Sequence, residues 1–313
     1  VAGRVVIRQG NRLLSRLVNI DRDLLVIPGV AIHMDRSVNK GAELNPAVDL
    51  LPLLGCGKEP GAFRKLIAEA AGVREEHLLS TELFLYPRTK AVQTGLNGEF
   101  IVSPRLDDLQ CVFGCLEGFL AAKPGGSLPV LAVFNNEEVG SNTRQGADST
   151  FLTDVLERIA HGCGLDSEGW KAAVANSFMV SADNAHAIHP AHPEYADKGE
   201  FPVLGGGIVI KYNANQRYTT DAVSGAVFQA ICQEAGVPVQ RYSNRADLPG
   251  GSTLGNISTA HLSVPTVDIG LPQLAMHSVC ETAGAADTEH LVKAMTAYFS
   301  RDFHRDRDGG IVF

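Results

Sequence analysis

The stretch Leu131-Ala132-Val133-Phe134-Asn135-Asn136-Glu137-Glu138-Val139-Gly140 decides how the rest of the chain is read. Its first half is a short apolar run, too short for a helix and rich in residues that suit a buried strand. It stops at two adjacent carboxylates and a glycine. Ligands of open α/β sheets gather beyond the carboxyl ends of strands, so an acidic pair at such an end is placed for chemistry. Taken alone, Glu137 and Glu138 have an ordinary reading as a solvated loop, since exposed charges are the rule. Recurrence argues against it, because three other strand-like runs also end in Asp or His.

Outward from this stretch, helices and strands alternate from about Val92 onward, the α/β pattern. Apolar spacing predicts a helix over 106–122, a strand over 130–135 and a helix over 149–160. A strand over 177–181 runs up to Asp183. A strand over 207–212 precedes a helix over 221–235, strands follow over 237–242 and 265–269, and a helix over 288–299 closes the chain. Gly250-Gly251-Ser252-Thr253-Leu254-Gly255 and Gly205-Gly206-Gly207 match neither a P-loop nor a dinucleotide fingerprint and are expected to make tight turns. Residues 1–92 have a different texture. Val5-Val6-Ile7, Leu24-Leu25-Val26-Ile27 and Val30-Ala31-Ile32-His33 are short β-type runs separated by turn residues, and Gly10-Asn11 suits a hairpin turn. A helix over 63–71 is closed by Gly72, and a strand over 82–86 is stopped by Pro87.

Composition bounds the function. The chain has 313 residues, 45% of them hydrophobic and 20% charged, ample for a core. Its net charge of -8 argues against a nucleic-acid or anionic-membrane partner, either of which calls for a basic face. No apolar run approaches a membrane span. The six cysteines form no C-x-x-C pair, and their scatter fits a reducing cytoplasm. Cys111 and Cys115 stand one helical turn apart, as small core residues do.

Four segments carry carboxylates or imidazoles at element boundaries: Arg105-Leu106-Asp107-Asp108-Leu109, Glu137-Glu138, Ser181-Ala182-Asp183-Asn184-Ala185-His186 and Met276-His277-Ser278. Zinc and manganese take such oxygen and nitrogen ligands. A hydrolytic site with two metals needs a bridging carboxylate, terminal ligands for each ion, and a spare carboxylate that takes a proton from water. On a turn, adjacent Glu137 and Glu138 diverge, so one can ligate while the other acts as base. Singly, each residue has an ordinary role: a helix cap for Asp107, a solvated charge for Glu137, a core hydrogen bond for His277. No G-x-S-x-G elbow and no H-E-x-x-H helix is present.

At this point the chain resembles the aspartyl aminopeptidases, di-metal exopeptidases. The matching blocks are Ile27-Pro28-Gly29-Val30-Ala31-Ile32-His33, Ser103-Pro104-Arg105-Leu106-Asp107-Asp108-Leu109, Asn135 to Ser141, Ser181 to Pro190, Val209 to Tyr218 and Pro272 to Ser278. The resemblance implies a mixed-sheet α/β zinc aminopeptidase-like domain over 93–313 and a smaller β-rich dimerisation domain over 1–92. It implies two zinc ions per subunit, with manganese or cobalt as substitutes. Asp107 would bridge them, with Glu138 and His277 on one ion and Asp183 on the other. Glu137 would be the general base, and Tyr218 would polarise the scissile carbonyl or stabilise the oxyanion. Lys211 and His189 would bind substrate, and His33 would reach into a partner subunit's site. The implied substrate is a peptide with an acidic N-terminus, the implied location the cytoplasm, and the implied assembly a homodimer built up to a dodecamer. Family members carry a His-Thr-Asp motif in a segment before the dimerisation domain. This sequence begins after it, so the ion held by Asp107 and Asp183 is expected to be one ligand short and the catalytic sheet incomplete. The alternatives are a non-catalytic assembly or regulatory homologue and a related neutral aminopeptidase.

Overall fold

Gly10, at φ 60°, supplies the left-handed backbone that a two-residue hairpin requires. The strands on either side, β1 (Ala2–Gln9) and β2 (Arg12–Asn19), pair antiparallel with Gln9 opposite Arg12. The computed structural model describes every residue except Lys58, Pro124 and Pro249. It divides into two units, Val1–Thr89 and Lys90–Phe313. In the first, β3 (Leu78–Phe84) lies along the other side of β1. This strand begins four residues before the expected 82–86 and stops at Phe84, because Phe84 faces Ala2 at the start of β1 and the ladder ends there. Helix α1 (Ala62–Ala70) ends as expected: Gly72, at φ 66°, turns the chain so that Val73 N donates to Ala68 O at 3.0 Å. Val5, Ile7 and Val18 pack with Ile67, Ala68 and Leu78 to form this unit's core.

The other two β-type runs of this unit are not strands. Leu24–Ile27 contributes one isolated bridge, Val26 to Leu53, and Val30–His33 contributes none among the described residues. A β-prone run becomes a strand only where a neighbour accepts its backbone. Val26, Ile27, Val30 and Ile32 are instead exposed.

The second unit holds two sheets. Its elements are β4 (Val92–Thr94), β5 (Phe100–Ser103), α2 (Leu106–Ala121), α3 (Phe151–Gly162), α4 (Ser167–Ala175), β6 (Met179–Ala182), β7 (Ala185–His186) and β8 (Ile208–Tyr212). They continue with α5 (Ala222–Glu234), β9 (Val239–Ser243), α6 (Leu254–His261), β10 (Thr266–Gly270), β11 (Pro272–Leu274), β12 (Glu281–Gly284), α7 (Ala285–Phe299) and the short pair β13 (His304–Arg305) and β14 (Ile311–Val312). The four-stranded sheet has the order β6-β10-β8-β9, parallel except where β8 meets β10. The five-stranded sheet has the order β4-β5-β12-β11-β7. The chain passes from the first sheet to the second twice, from β6 to β7 through Asp183-Asn184 and from β10 to β11 through Leu271. Asp183 N and Ala185 N donate to Ile269 O and Leu271 O at 3.1 and 2.8 Å across this seam. Gly270 is required beside it, since a Cβ there would stand 2.1 Å from Asp183 O.

Ile208, Val209 and Ile210 of β8 are fully buried, as a continuous apolar run in a covered sheet predicts. They share a core with Val267 and Ile269 of β10, Phe228 and Ile231 of α5, and Leu291 and Met295 of α7. Helices α2 and α7 approach closely because Gly114 and Gly118, one turn apart, face Leu291 and Met295. A Cβ at either glycine would stand 2.7 or 2.5 Å from those side chains. Cys111 and Cys115 on the same helix are buried core residues, and burial pushes the Cys115 thiol up to about 12.

Two expectations fail here. Val130–Asn135 has no strand partner among the described residues; only Asn135 N makes a backbone bond, to Gln145 O at 3.0 Å. Val130 and Val133 are exposed while Leu131 packs against the core, so the apolar composition of this run does not report on a ladder. The Gly250–Gly255 stretch does not end in a turn but starts α6. Gly255 lies inside that helix because a Cβ would stand 2.4 Å from Asp268 Oδ1.

Candidate active site

Strand β5 ends at Ser103, opposite Glu281 at the start of β12. The chain then turns through Arg105, at φ 63°, and brings Asp107 and Asp108 to the mouth of α2; the peptide bond between them is cis and both lie outside helical geometry. On the other side of β12, β11 runs out through Ala275 and His277, both with positive φ. Glu281 lies between these two turns, 2% exposed. Its Oε2 accepts from Asp107 N at 3.1 Å and its Oε1 from His277 N at 2.7 Å. One buried carboxylate thus fixes the backbones of two candidate ligands, and their side chains converge as a result. His277 Nε2 stands 3.1 Å from Asp107 Oδ2 and 3.0 Å from Glu138 Oε2.

Glu137 and Glu138 arrive on a loop closed by its own bonds. Asn136 and Ser141 take positive φ, and Ser141 N donates to Asn136 O at 2.9 Å. Gly140 N donates to Glu137 O at 2.8 Å, and Asn136 Nδ2 to Thr143 Oγ1 at 3.0 Å. Non-glycine residues at positive φ cost about 1 kcal/mol or more each and gather at functional sites. Here Arg105, Asn136, Ser141, Ala275 and His277 all lie within four residues of a candidate ligand. Glu138 turns toward His277. Glu137 is half-buried, and burial, followed by the charges of Asp183 and Glu138, raises its pKa.

At the seam between the sheets, Asp183 joins Asp107 and Asp108 in a second cluster of carboxylates. Asn184 organises what lies behind it. Its N donates to Asp108 Oδ1 at 3.1 Å, and its Nδ2 lies 2.9 Å from both Gln110 Oε1 and Gln273 Oε1. Lys211 on β8 is 2% exposed, and its Nζ donates to Asn184 O at 2.8 Å and lies 3.5 Å from Asp183 Oδ2. Burial would lower its pKa, but the Asp183 and Asp268 carboxylates outweigh that and hold it above the ordinary value. The Tyr218 ring centroid lies 5.6 Å from the same Nζ.

This donor set fits a cation. Asp107 Oδ1 is buried without a hydrogen-bond partner among the described residues, a costly state for a carboxylate unless something positive meets it. Burial, then the charges of Asp183 and Glu138, push Asp107 up to about 8, the response of carboxylates crowded with no counter-charge. One imidazole nitrogen and two carboxylate oxygens directed at a common point are a zinc-type set, and Asp107 belongs to both clusters.

Of the residues expected from sequence, Asp107, Glu138 and His277 meet in one cluster, and Asp107 and Asp183 in the other, with Lys211 bound to Asp183. His189 stands apart from both clusters on an exposed turn, its ring 5.2 Å from that of His192. His33 belongs to the first unit and is exposed there. Sequence reasoning did not single out Asp108, Asn184 or Glu281. Glu281 left a faint signal, an acidic residue beginning a strand four positions after His277.

The zinc metalloprotease family described as aminopeptidase I (M18) matches residues 1–299. The chain belongs to the M18 family of zinc aminopeptidases. It is 44% identical over 306 residues to a probable M18 family aminopeptidase 2 of Clostridium acetobutylicum, covering 96% of this chain and 71% of that protein. Among solved structures, a chain of the cryo-EM structure of the Ape4 and Nbr1 complex superposes with a TM-score of 0.88 at 35% identity, over 95% of this chain and 62% of that one. The S. cerevisiae mApe1 dodecamer gives 0.77 at 26% identity, over 95% and 68%. The chain thus spans about two thirds of the length of the M18 proteins it resembles. The M18 fold accounts for the mixed sheets, and the M18 family is a zinc-dependent one.

Proposed function

We propose that this chain carries the metal centre of an aminopeptidase that removes N-terminal Asp or Glu from peptides. The observation that carries the reading is the convergence of Asp107 Oδ2 and Glu138 Oε2 on His277 Nε2, beside an Asp107 Oδ1 that has no hydrogen-bond partner among the described residues. Asp107, Glu138 and His277 would hold one zinc ion, and Asp107 and Asp183 would share a second. Zinc bound there supplies Lewis acidity toward the scissile carbonyl and makes a water easier to deprotonate. Glu137 accepts the proton of the attacking water and passes it to the leaving amine; its raised proton affinity suits both transfers. Tyr218 donates its hydroxyl hydrogen to the carbonyl oxygen as negative charge develops. Its own ionisation is pushed up to about 12, by burial first, so it remains a donor at neutral pH.

The preference for acidic residues rests on Lys211, a cation at the floor of the site with two of its three donors directed at Asn184 and Asp183. Lys211→Met is expected to lower kcat/KM on Asp- and Glu-initiated peptides more than on Leu-initiated ones; an equal loss on all three removes that role. The first unit serves assembly on this reading. Val26, Ile27, Val30, Ile32 and Met34 expose an apolar surface there, around His33, which would act in a partner's site. A related M18 structure is a dodecamer, and the free state of all six cysteines agrees with a cytoplasmic location.

Glu137→Gln tests the reading. The amide cannot accept the proton, so turnover should fall at least about 100-fold. Zinc content by elemental mass spectrometry should not change, because Glu137 is not a ligand. Turnover retained in this variant would overturn the assignment.

A further inference from the structure

Tyr218 can donate to a carbonyl oxygen only if its ring is held where that oxygen arrives. Residues 214–217 before it form an exposed turn. The buried anchors lie after it, and they meet at Asp268 in the middle of β10, 0% exposed. Thr219 N and Thr219 Oγ1 both donate to Asp268 Oδ2, the hydroxyl at 2.7 Å. Thr220 Oγ1 accepts from Asp268 N at 2.9 Å. The carboxylate is itself fixed from its other side. Thr253 Oγ1, just before α6, donates to Asp268 Oδ1 at 2.9 Å. A Cβ on Gly255 would stand 2.4 Å from Oδ1 and 2.8 Å from Oδ2, so the α6 backbone packs directly onto the carboxylate. Three donors converge on this group, and a carboxylate, which only accepts, suits them all; an amide would turn hydrogens of its own toward them. A buried carboxylate is costly unless fixed donors meet it, and a network satisfied in this way holds its members in one geometry. Asp268 belongs to neither carboxylate cluster of the site.

We propose that Asp268 is a positioning residue that seats the Tyr218 ring at the site through Thr219 and Thr220. The inference rests on the role of Tyr218 proposed above. Tyr218 acts on the transition state, so a loosened seat predicts a lower kcat with KM unmoved. An Asp268 that only supports the fold predicts something else: lower stability, and any loss of rate independent of the Tyr218 hydroxyl.

Thr219 allows the seat to be loosened without emptying the core. Thr219→Val keeps the branched shape and the backbone donor and removes the hydroxyl; Thr219→Ser puts the hydroxyl back. With the zinc-loaded protein and aspartyl p-nitroanilide as substrate, Tyr218→Phe is the reference and should lower kcat about 100-fold, as on losing an oxyanion donor. Thr219→Val should lower kcat about tenfold, the worth of a hydrogen bond to a charged group, with KM within about twofold. Thr219→Ser should recover most of that rate. In the Tyr218→Phe background Thr219→Val should cost nothing further, because the hydroxyl it positions is gone. Asp268→Ala should approach the Tyr218→Phe rate with its zinc content unchanged; if that variant does not fold, the Thr219 series decides alone. A Tyr218→Phe protein with full kcat would end the role of Tyr218 and that of Asp268 with it. If Tyr218→Phe is slow, but Thr219→Val either matches the wild type or multiplies the loss in the Tyr218→Phe background, Tyr218 stands and the seat is overturned.

Discussion

The two sides of the candidate metal cluster are built differently. Asp107 and His277 come from turns flanking β12, and the buried carboxylate of Glu281 ties both backbones together. The Asp107 side chain is only 5% exposed. Glu138 comes from a loop whose hydrogen bonds are its own, and its side chain is 54% exposed. One side is fixed by the core of the domain, the other by local turn chemistry. The difference separates two jobs. A ligand that belongs to both clusters must be held before any ion arrives, since misplacing it spoils both. A terminal ligand can settle onto the ion afterwards, because water satisfies it in the meantime.

Removing the shared ligand breaks the comparison most severely. Asp107→Ala should lose both ions in elemental analysis, with turnover at background; a variant that still holds two would show that Asp107 is not shared. Glu281→Gln comes next. A glutamine side chain offers one oxygen, and its amide nitrogen would face a backbone N–H that now has an acceptor. Either Asp107 N or His277 N is then left buried and unpaired, a cost of about 1–3 kcal/mol. The metal-free protein should melt at a lower temperature, and zinc affinity should fall about 10- to 100-fold, as when a residue that orients ligands is lost. An unchanged melting temperature would mean that the clamp is idle.

The ease of reading these two sides from sequence is the reverse of their rigidity. Glu137 and Glu138 stand out at once, two carboxylates ending an apolar run. Asp183 and His277 follow from the same pattern at other strand ends. Glu281 and Asn184, which hold those residues in place, were not legible. Their importance comes from pairings between distant segments, Glu281 with Asp107 and Asn184 with Gln110 and Gln273, and no local pattern encodes those pairings. The strongest strand signal also misled. Val130–Asn135 has the composition of a buried strand and no ladder among the described residues, because strand formation needs a partner that composition alone cannot supply. Helices did better. Those over 106–122, 221–235 and 288–299 carry their own backbone partners, and Asp221 caps α5 in a reciprocal pair with Ser224. The αL turns at Arg105, Asn136 and His277 were invisible, since nothing in those residue types demands positive φ.

The smallest expected effect sharpens the comparison most. Among the described residues Glu138 accepts no backbone hydrogen bond; its close partner is the His277 imidazole, itself 62% exposed. Exchanging Glu138 for Gln keeps the shape of the side chain and removes a charge that water already screens. In the metal-free protein this should shift stability by less than about 0.5 kcal/mol, the usual range for surface substitutions and exposed ion pairs. Zinc affinity should still fall, because an amide is a poor ligand beside a carboxylate. Glu281→Gln is predicted to lower both stability and affinity, Glu138→Gln affinity alone. Thermal melts of the metal-free variants, run beside zinc titrations, separate the two patterns. A Glu138→Gln protein destabilised as far as Glu281→Gln would mean that the exposed loop is part of the fold's support, and that the two sides of the cluster are held alike after all.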